Sequence, residues 1–354
     1  MISEQSYTKE WIDALSRKLE YNDKALIEKV IRALSLLEHL VQMGCPLVFR
    51  GGTSLMLILG ESLHRASIDI DIICPPGTDI EKYLVEMERH GFVNEKPISI
   101  AHSMRDLPAT HTKVYYEISY SSSSKLKEYI KLDVLYDECP YSKVLQTPIA
   151  SPFLATYGEP VMVNVATKEE MLGDKMTAFA PNTIGIPYYK GQRDCFVEII
   201  KQLYDISRLF ENVEDYSAAY KAFLKVSAAE MKYRGLSGQL DKYYEDVRQT
   251  ALCIATRGQV GNGIFSHLQN GILRIKPFMY QQKYYIEDAI LDSSRAAYLA
   301  TCFEKGITAV ERYSGNPADV AEIKLSDSVT NKLNKLKTIV PEAYYYWVKT
   351  SALL

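Results

Sequence analysis

Long apolar runs are missing from this sequence. None approaches the roughly 20 residues that a helix needs to cross a bilayer, so no membrane-spanning helix is expected among these residues. The opening residues, MISEQSYTKEW, also lack the apolar core of a signal peptide. The expectation is a soluble, cytoplasmic protein. Its six cysteines (Cys45, Cys74, Cys139, Cys195, Cys253 and Cys302) form no CxxC pair, so neither a zinc ribbon nor a disulfide framework is indicated and reduced thiols are expected. The six histidines (His39, His64, His90, His102, His111 and His267) include no HExxH spacing. No GxxxxGK[ST] loop and no GxGxxG turn occurs, which removes the P-loop and dinucleotide-binding readings. No Ser/His/Asp or Cys/His nucleophile arrangement is legible. Positive charge is not in excess either. The net charge is −3, so any contact with nucleic acid has to come from a local basic patch and not from a global field.

What is present is a globular composition, 47% hydrophobic and 24% charged over 354 residues, enough for one large domain or two ordinary ones. There is no internal repeat. The first half mixes helix and strand signals. Asp23 is placed to cap a helix over 24–43, followed by a short apolar strand at 46–49, a glycine pair and a helical run at 53–59. Residues 67–72 alternate as a strand does. A second amphipathic helix is expected over 79–90, ended by Gly91. Strands at 114–120 and 129–136 flank the run Ser121–Ser124 and are expected to pair antiparallel, and 161–165 reads as one more strand. From about residue 167 the pattern turns helical, with segments at 168–180, 195–210, 216–231, 240–256 and 286–303. The fold class is therefore α+β: a mixed sheet with flanking helices over 1–166, then a mainly helical half over 167–354. A cleft between two such parts is a natural ligand site.

The sharpest local feature is Ser67-Ile68-Asp69-Ile70-Asp71-Ile72. Alternate side chains of a strand share a face, so Asp69 and Asp71 project together while Ile68, Ile70 and Ile72 point to the other side. Two carboxylates held that close repel each other unless a cation lies between them, and a hard divalent ion bound through oxygens is the usual solution. Asp133 repeats the pattern, opposite Ile130, Leu132 and Val134. Three such carboxylates could hold two metal ions acting on a triphosphate. Taken alone, a DxD pair is read as readily as a solvated face of an edge strand.

The glycine turn upstream adds weight. In Phe49-Arg50-Gly51-Gly52-Thr53-Ser54-Leu55, the glycines allow close backbone approach and the helix that follows presents free N–H groups to an anion. Thr53 or Ser54 could add a hydroxyl, and Arg65 suits bidentate phosphate contact. An ordinary strand-to-helix turn would explain the same residues.

Together, Gly51-Gly52-Thr53-Ser54-Leu55 and Arg65-Ala66-Ser67-Ile68-Asp69-Ile70-Asp71 resemble the GG[ST]xL … RxSxDxD signature of the AbiEii/AbiGii toxin family. These are type IV toxins of abortive-infection systems in the DNA polymerase β-like nucleotidyltransferase superfamily. Leu172-Gly173-Asp174-Lys175-Met176-Thr177-Ala178-Phe179 resembles the family's downstream EKLxA helix, and Gln202-Leu203-Tyr204-Asp205-Ile206 its DLYDL element. The resemblance covers roughly residues 30–210. It implies a nucleotidyltransferase-like fold and transfer of NMP from an NTP to an acceptor hydroxyl with Mg²⁺ or Mn²⁺. Asp69, Asp71 and Asp133 would be the metal ligands. Gly51, Gly52 and Thr53, with Ser54 and Arg65, would hold the triphosphate. Lys175 would reach the nucleotide phosphates, and Asp205 would support the site. The stretch 181–194, longer than in the family pattern, leaves Asp194 as the rival of Asp205 for the acidic role, with Asp205 preferred. The resemblance also implies a toxin of a phage-defence pair, a cognate antitoxin, and RNA, with tRNA first, as the acceptor.

Two other readings stay open: a non-catalytic module that binds nucleotide or partner, and an antibiotic nucleotidyltransferase. Two further features are noted. The 181–194 stretch carries Tyr188, Tyr189, Lys190 and Arg193, which could stack a base and bind phosphates or pack locally as a connector. Tyr344-Tyr345-Tyr346-Trp347 reads as packing for a terminal helix.

Overall fold

The computed structural model describes residues 1–93, 98–102, 112–327 and 330–354; His111 lies outside them. The chain divides into two compact units. The first is Met1–Thr167 together with Pro277–Lys283, and the second is Lys168–Lys276 together with Tyr284–Leu354. The return of 277–283 to the first unit has no forewarning in the sequence pattern.

The first unit is built on a seven-stranded mixed sheet. Its strands are β1 (Val48–Arg50), β2 (Ile70–Cys74), β3 (Ile98–His102), β4 (Thr112–Ser121), β5 (Lys127–Tyr136), β6 (Val144–Pro148) and β7 (Met162–Ala166), in the order β3-β4-β5-β2-β1-β7-β6. β4 and β5 pair antiparallel across the serine turn, as expected, with Ile118 opposite Ile130 and Tyr116 opposite Leu132. The central β2 runs antiparallel to β1 and parallel to β5. Ile70, Ile72, Ile130, Leu132 and Val134 are all buried, so the branched side chains anchor these strands in the core.

Among the described residues three helices accompany the sheet: α1 (Lys9–Lys18), α2 (Lys24–Gln42) and α3 (Gly51–Leu59). Asp23 caps α2 by accepting from the Leu26 N–H, and the helix buries Ile27, Val30, Ile31, Leu34 and Leu37. α3 follows directly on β1 and carries apolar residues nearly all round.

Two expectations need correction. Residues 79–90 form no α-helix but two single 3₁₀ turns, Ile80–Tyr83 and Met87–His90. Glu86 between them takes the left-handed conformation at φ 54°, which a continuous right-handed helix cannot include. Ile80, Leu84 and Met87 are nevertheless buried, so the apolar spacing marks the buried residues and misjudges the backbone. The strand expected at 67–72 begins at Ile70 and runs on to Cys74. Just upstream, Arg65 bridges to Met279, the Ala66 N–H donates to Phe278 O and the Asp69 carbonyl accepts from the Thr53 hydroxyl, so these backbone groups are bonded outside the β2 ladder. β3, β6 and α1 were not expected.

The second unit is mainly helical, as the pattern indicates. It contains α4 (Lys168–Ala178), a two-stranded hairpin of β8 (Tyr189–Lys190) and β9 (Arg193–Asp194), then α5 (Phe196–Asn212), α6 (Tyr216–Tyr233), α7 (Leu240–Ala255), α8 (Phe265–Arg274), α9 (Ile286–Glu304), α10 (Ala318–Ala321), α11 (Leu336–Ile339) and α12 (Pro341–Leu353). Tyr344, Tyr346 and Trp347 are buried on α12, so the aromatic run is packing for the terminal helix, with Tyr346 stacked on Tyr298 at 5.5 Å. Among the described residues no helix is long and apolar enough to cross a membrane. The six cysteines form no disulfide, and only Cys139 is exposed.

Candidate active site

Asp71 and Asp133 are direct partners across the parallel pair β2–β5. Each alternates with buried residues of its own strand, so both carboxylates leave the same face of the sheet. Adjacent strands lie about 4.8 Å apart, which sets two like charges side by side. Burial first, and then the Asp133 carboxylate, push the Asp71 carboxyl up to about 6; Asp69 adds to the rise, while Lys113 and Arg50 oppose it. Lys113 Nζ stands 3.8 Å from one Asp133 oxygen and Lys131 Nζ 3.7 Å from the other. Lys131 also lies over the Tyr115 ring at 4.7 Å.

Asp69 precedes β2 and is exposed, and its carbonyl is fixed by the Thr53 hydroxyl, which donates to it at 2.6 Å. Among the described residues no group of three His, Cys, Asp or Glu side chains is drawn together to hold a metal ion. The fit to a divalent ion therefore rests on the donor set: hard carboxylate oxygens, two of them in register, whose mutual repulsion a cation would relieve.

Gly51 takes φ +80°, and a β-carbon there would collide with the Asp71 carboxylate. At Gly52 a β-carbon would stand 2.8 Å from Arg65 Nη2 and 2.9 Å from Ser67 Oγ. The glycine pair is thus required by close approach of backbone to functional side chains. It also starts α3 beside Asp71, with no side chain capping the helix, and the first N–H groups of such a helix suit a phosphate.

The two hydroxyls of the turn are engaged by backbone carbonyls. Thr53 and Ser54 are fully buried; Thr53 donates to Asp69 O and Ser54 donates to Gly51 O at 2.8 Å. They shape the turn from within. Arg65 is buried too, 2% exposed, and its Nη1 donates to Ala66 O at 3.1 Å. Spacing alone does not reveal this, because a strand-to-helix turn gives no sign of which side chains fold inward.

Lys175 and Asp205 meet within the second unit. Lys175 Nζ lies 3.0 Å from Asp205 Oδ2 and donates to Gln202 Oε1 at 2.8 Å. Asp205 is completely buried and Lys175 nearly so, so α4 and α5 share a buried ion pair. Asp194 instead pairs with Arg274 at 2.8 Å on the surface.

Three cations around the carboxylates were given no role from sequence. Arg50 is opposite Asp71 in register, and Lys113 and Lys131 flank Asp133. Lys131 was within reach of the pattern, since it stands two residues from Asp133 on the same face of a strand. Lys113 was not, because its position depends on the β4–β5 register.

The family model described as "Nucleotidyl transferase AbiEii toxin, Type IV TA system" matches residues 35–275, well over half of the chain. No curated protein matches. Among solved structures, the crystal structure of a protein from H. pylori put forward as a nucleotidyltransferase aligns with 82% of this chain and 97% of its own, at 15% identity and a TM-score of 0.39. So loose a likeness carries nothing further.

Proposed function

The chain belongs to the AbiEii nucleotidyltransferase toxin family of type IV toxin–antitoxin systems, and we propose that it transfers a nucleoside monophosphate from an NTP to a hydroxyl of an acceptor RNA, with tRNA as the first candidate. The observation that carries this reading is the in-register pair Asp71 and Asp133, with the Gly51 backbone packed against Asp71. Family membership implies an antitoxin as the silencing partner.

In the proposed reaction the acceptor hydroxyl gives its proton to solvent as its oxygen bonds to the α-phosphorus, the bond from that phosphorus to the α–β bridging oxygen breaks, and pyrophosphate leaves. Chemistry of this kind is mostly positioning and charge neutralisation. Asp71 and Asp133, with Asp69 next to them, would hold Mg²⁺ or Mn²⁺, which when bound neutralises the triphosphate and lowers the pKa of the attacking hydroxyl. The chain's own groups supply the rest. The N–H groups at the start of α3 bind the β- and γ-phosphate oxygens. Thr53, through Asp69 O, and Ser54, through Gly51 O, keep that turn in place. Arg65 holds the segment leading to Asp69 by its contact with Ala66 O. Lys113 and Lys131 offset the charge of Asp133. Within the second unit Lys175 is held by Asp205, and the family resemblance gives it a role toward the nucleotide phosphates.

The test is growth of cells that express the protein without an antitoxin. Wild type is expected to arrest growth, and Asp133→Asn at equal protein level to leave growth normal. Equal arrest by both would remove the reading.

A further inference from the structure

The 181–194 stretch is a built element, not a slack insertion. Lys190 pairs with Arg193 across a turn at Gly191, where φ is +62°, as tight hairpins require. Its base is fixed from several sides. Asp246 on α7 accepts from the Asn182 N–H at 2.9 Å, from Asn182 Nδ2 at 2.7 Å and from the Thr183 hydroxyl at 2.8 Å. Tyr188 is buried, and its hydroxyl oxygen accepts from the Ile264 N–H at 3.2 Å. Phe196 stacks on His267 with ring centres 4.3 Å apart.

The outer part of the hairpin is a different kind of surface. Tyr189 is 49% exposed, yet its ring is held edge-on to Phe196 at 5.3 Å and to His267 at 5.4 Å. Lys190 and Arg193 are exposed beside it, and α8 contributes exposed Arg274. Arg193 and Arg274 are aligned by surface pairs with Glu198 and Asp194. Surface ion pairs of this kind are weak and exchange readily for a phosphate. The whole chain carries a net charge of −3, yet the exposed cations Lys190, Arg193 and Arg274 gather here around a pre-oriented aromatic ring. A local basic patch is what a polyanion partner of such a chain needs.

We propose that the β8–β9 hairpin, with the adjoining edge of α8, is the docking surface for the acceptor RNA, and that it takes an unpaired stretch: Tyr189 stacks on a base while Lys190, Arg193 and Arg274 meet the backbone phosphates. An unpaired strand is preferred because only unstacked bases can reach an aromatic side chain. This inference rests on the reading that RNA is the acceptor.

The experiment measures fluorescence anisotropy of a short labelled unpaired RNA, and of its duplex, over a salt series. The proteins are wild type, Tyr189→Ala, Tyr189→Phe and Lys190→Gln/Arg193→Gln, each confirmed as folded by circular dichroism. NMP transfer to total tRNA is measured alongside. Wild type is expected to bind the unpaired RNA more tightly than the duplex. Tyr189→Ala is expected to weaken binding about tenfold with little change in salt slope, and Tyr189→Phe to retain it. The double variant is expected to weaken binding and to lower the slope of log affinity against log salt by about 1.4, at about 0.7 per phosphate. Unchanged affinity and slope in Tyr189→Ala and the double variant would overturn the proposal. If wild type itself labels no RNA, the acceptor reading fails and this inference falls with it; if wild type labels RNA and the variants match it, the hairpin alone is refuted.

Discussion

Gly51 packs its backbone so closely on the Asp71 carboxylate that any side chain at 51 would occupy the space of that carboxylate. Position 51 also has φ +80°. Gly51→Ala therefore carries two penalties, a left-handed conformation costing about 1–2 kcal/mol and displacement of Asp71. We expect a folded protein with a lowered melting temperature and NMP transfer reduced about a hundredfold or more. Thermal denaturation and a transfer assay check both parts.

The buried pair Lys175–Asp205 separates structure from chemistry. Lys175→Met removes the ammonium 3.0 Å from the buried Asp205 carboxylate, expected to cost about 3–5 kcal/mol of stability. Lys175→Met/Asp205→Leu removes both charges and is expected to recover most of that loss. If Lys175 also serves the nucleotide, the double variant regains stability in urea titrations without regaining turnover. Recovery of both would reduce Lys175 to a structural role.

Asp246 is expected to govern the hairpin base. Asp246→Ala leaves the Asn182 N–H, Asn182 Nδ2 and Thr183 hydroxyl without their acceptor, at about 1–3 kcal/mol for each donor left unsatisfied. Hydrogen exchange should show faster exchange at 182–183, while amides of the β2–β5 ladder in the first unit keep their protection. Equal loss of protection in both places would contradict this local role.

Much of this architecture can be read from residue patterns, and the gaps have physical causes. The alternation of Ile130, Leu132 and Val134 with Asp133 places that carboxylate correctly because strand period and burial agree. The glycine pair is legible as a close approach, though not what it approaches: Asp71 and Arg65 reach it only through the β1–β2 register and the fold of 65–67. The 79–90 segment is misread because apolar spacing records which residues are buried and not the left-handed Glu86 between two short turns. The Thr53 and Ser54 hydroxyls donate to backbone carbonyls, Ser54 locally to Gly51 O and Thr53 to Asp69 O, a partner that the tertiary fold brings and residue type does not reveal. The pairing of Lys175 with Asp205 joins two helices whose packing no local pattern specifies.

The central claim is that Asp71 and its neighbours support metal-dependent NMP transfer. Its most direct test incubates purified wild type and Asp71→Ala with total tRNA and each of the four NTPs labelled at the α-phosphate, with Mg²⁺ and with EDTA. The account expects label on RNA from wild type in Mg²⁺ alone, and label reduced about a hundredfold or more for Asp71→Ala. Equal labelling by the two proteins, or labelling that persists in EDTA, would contradict it.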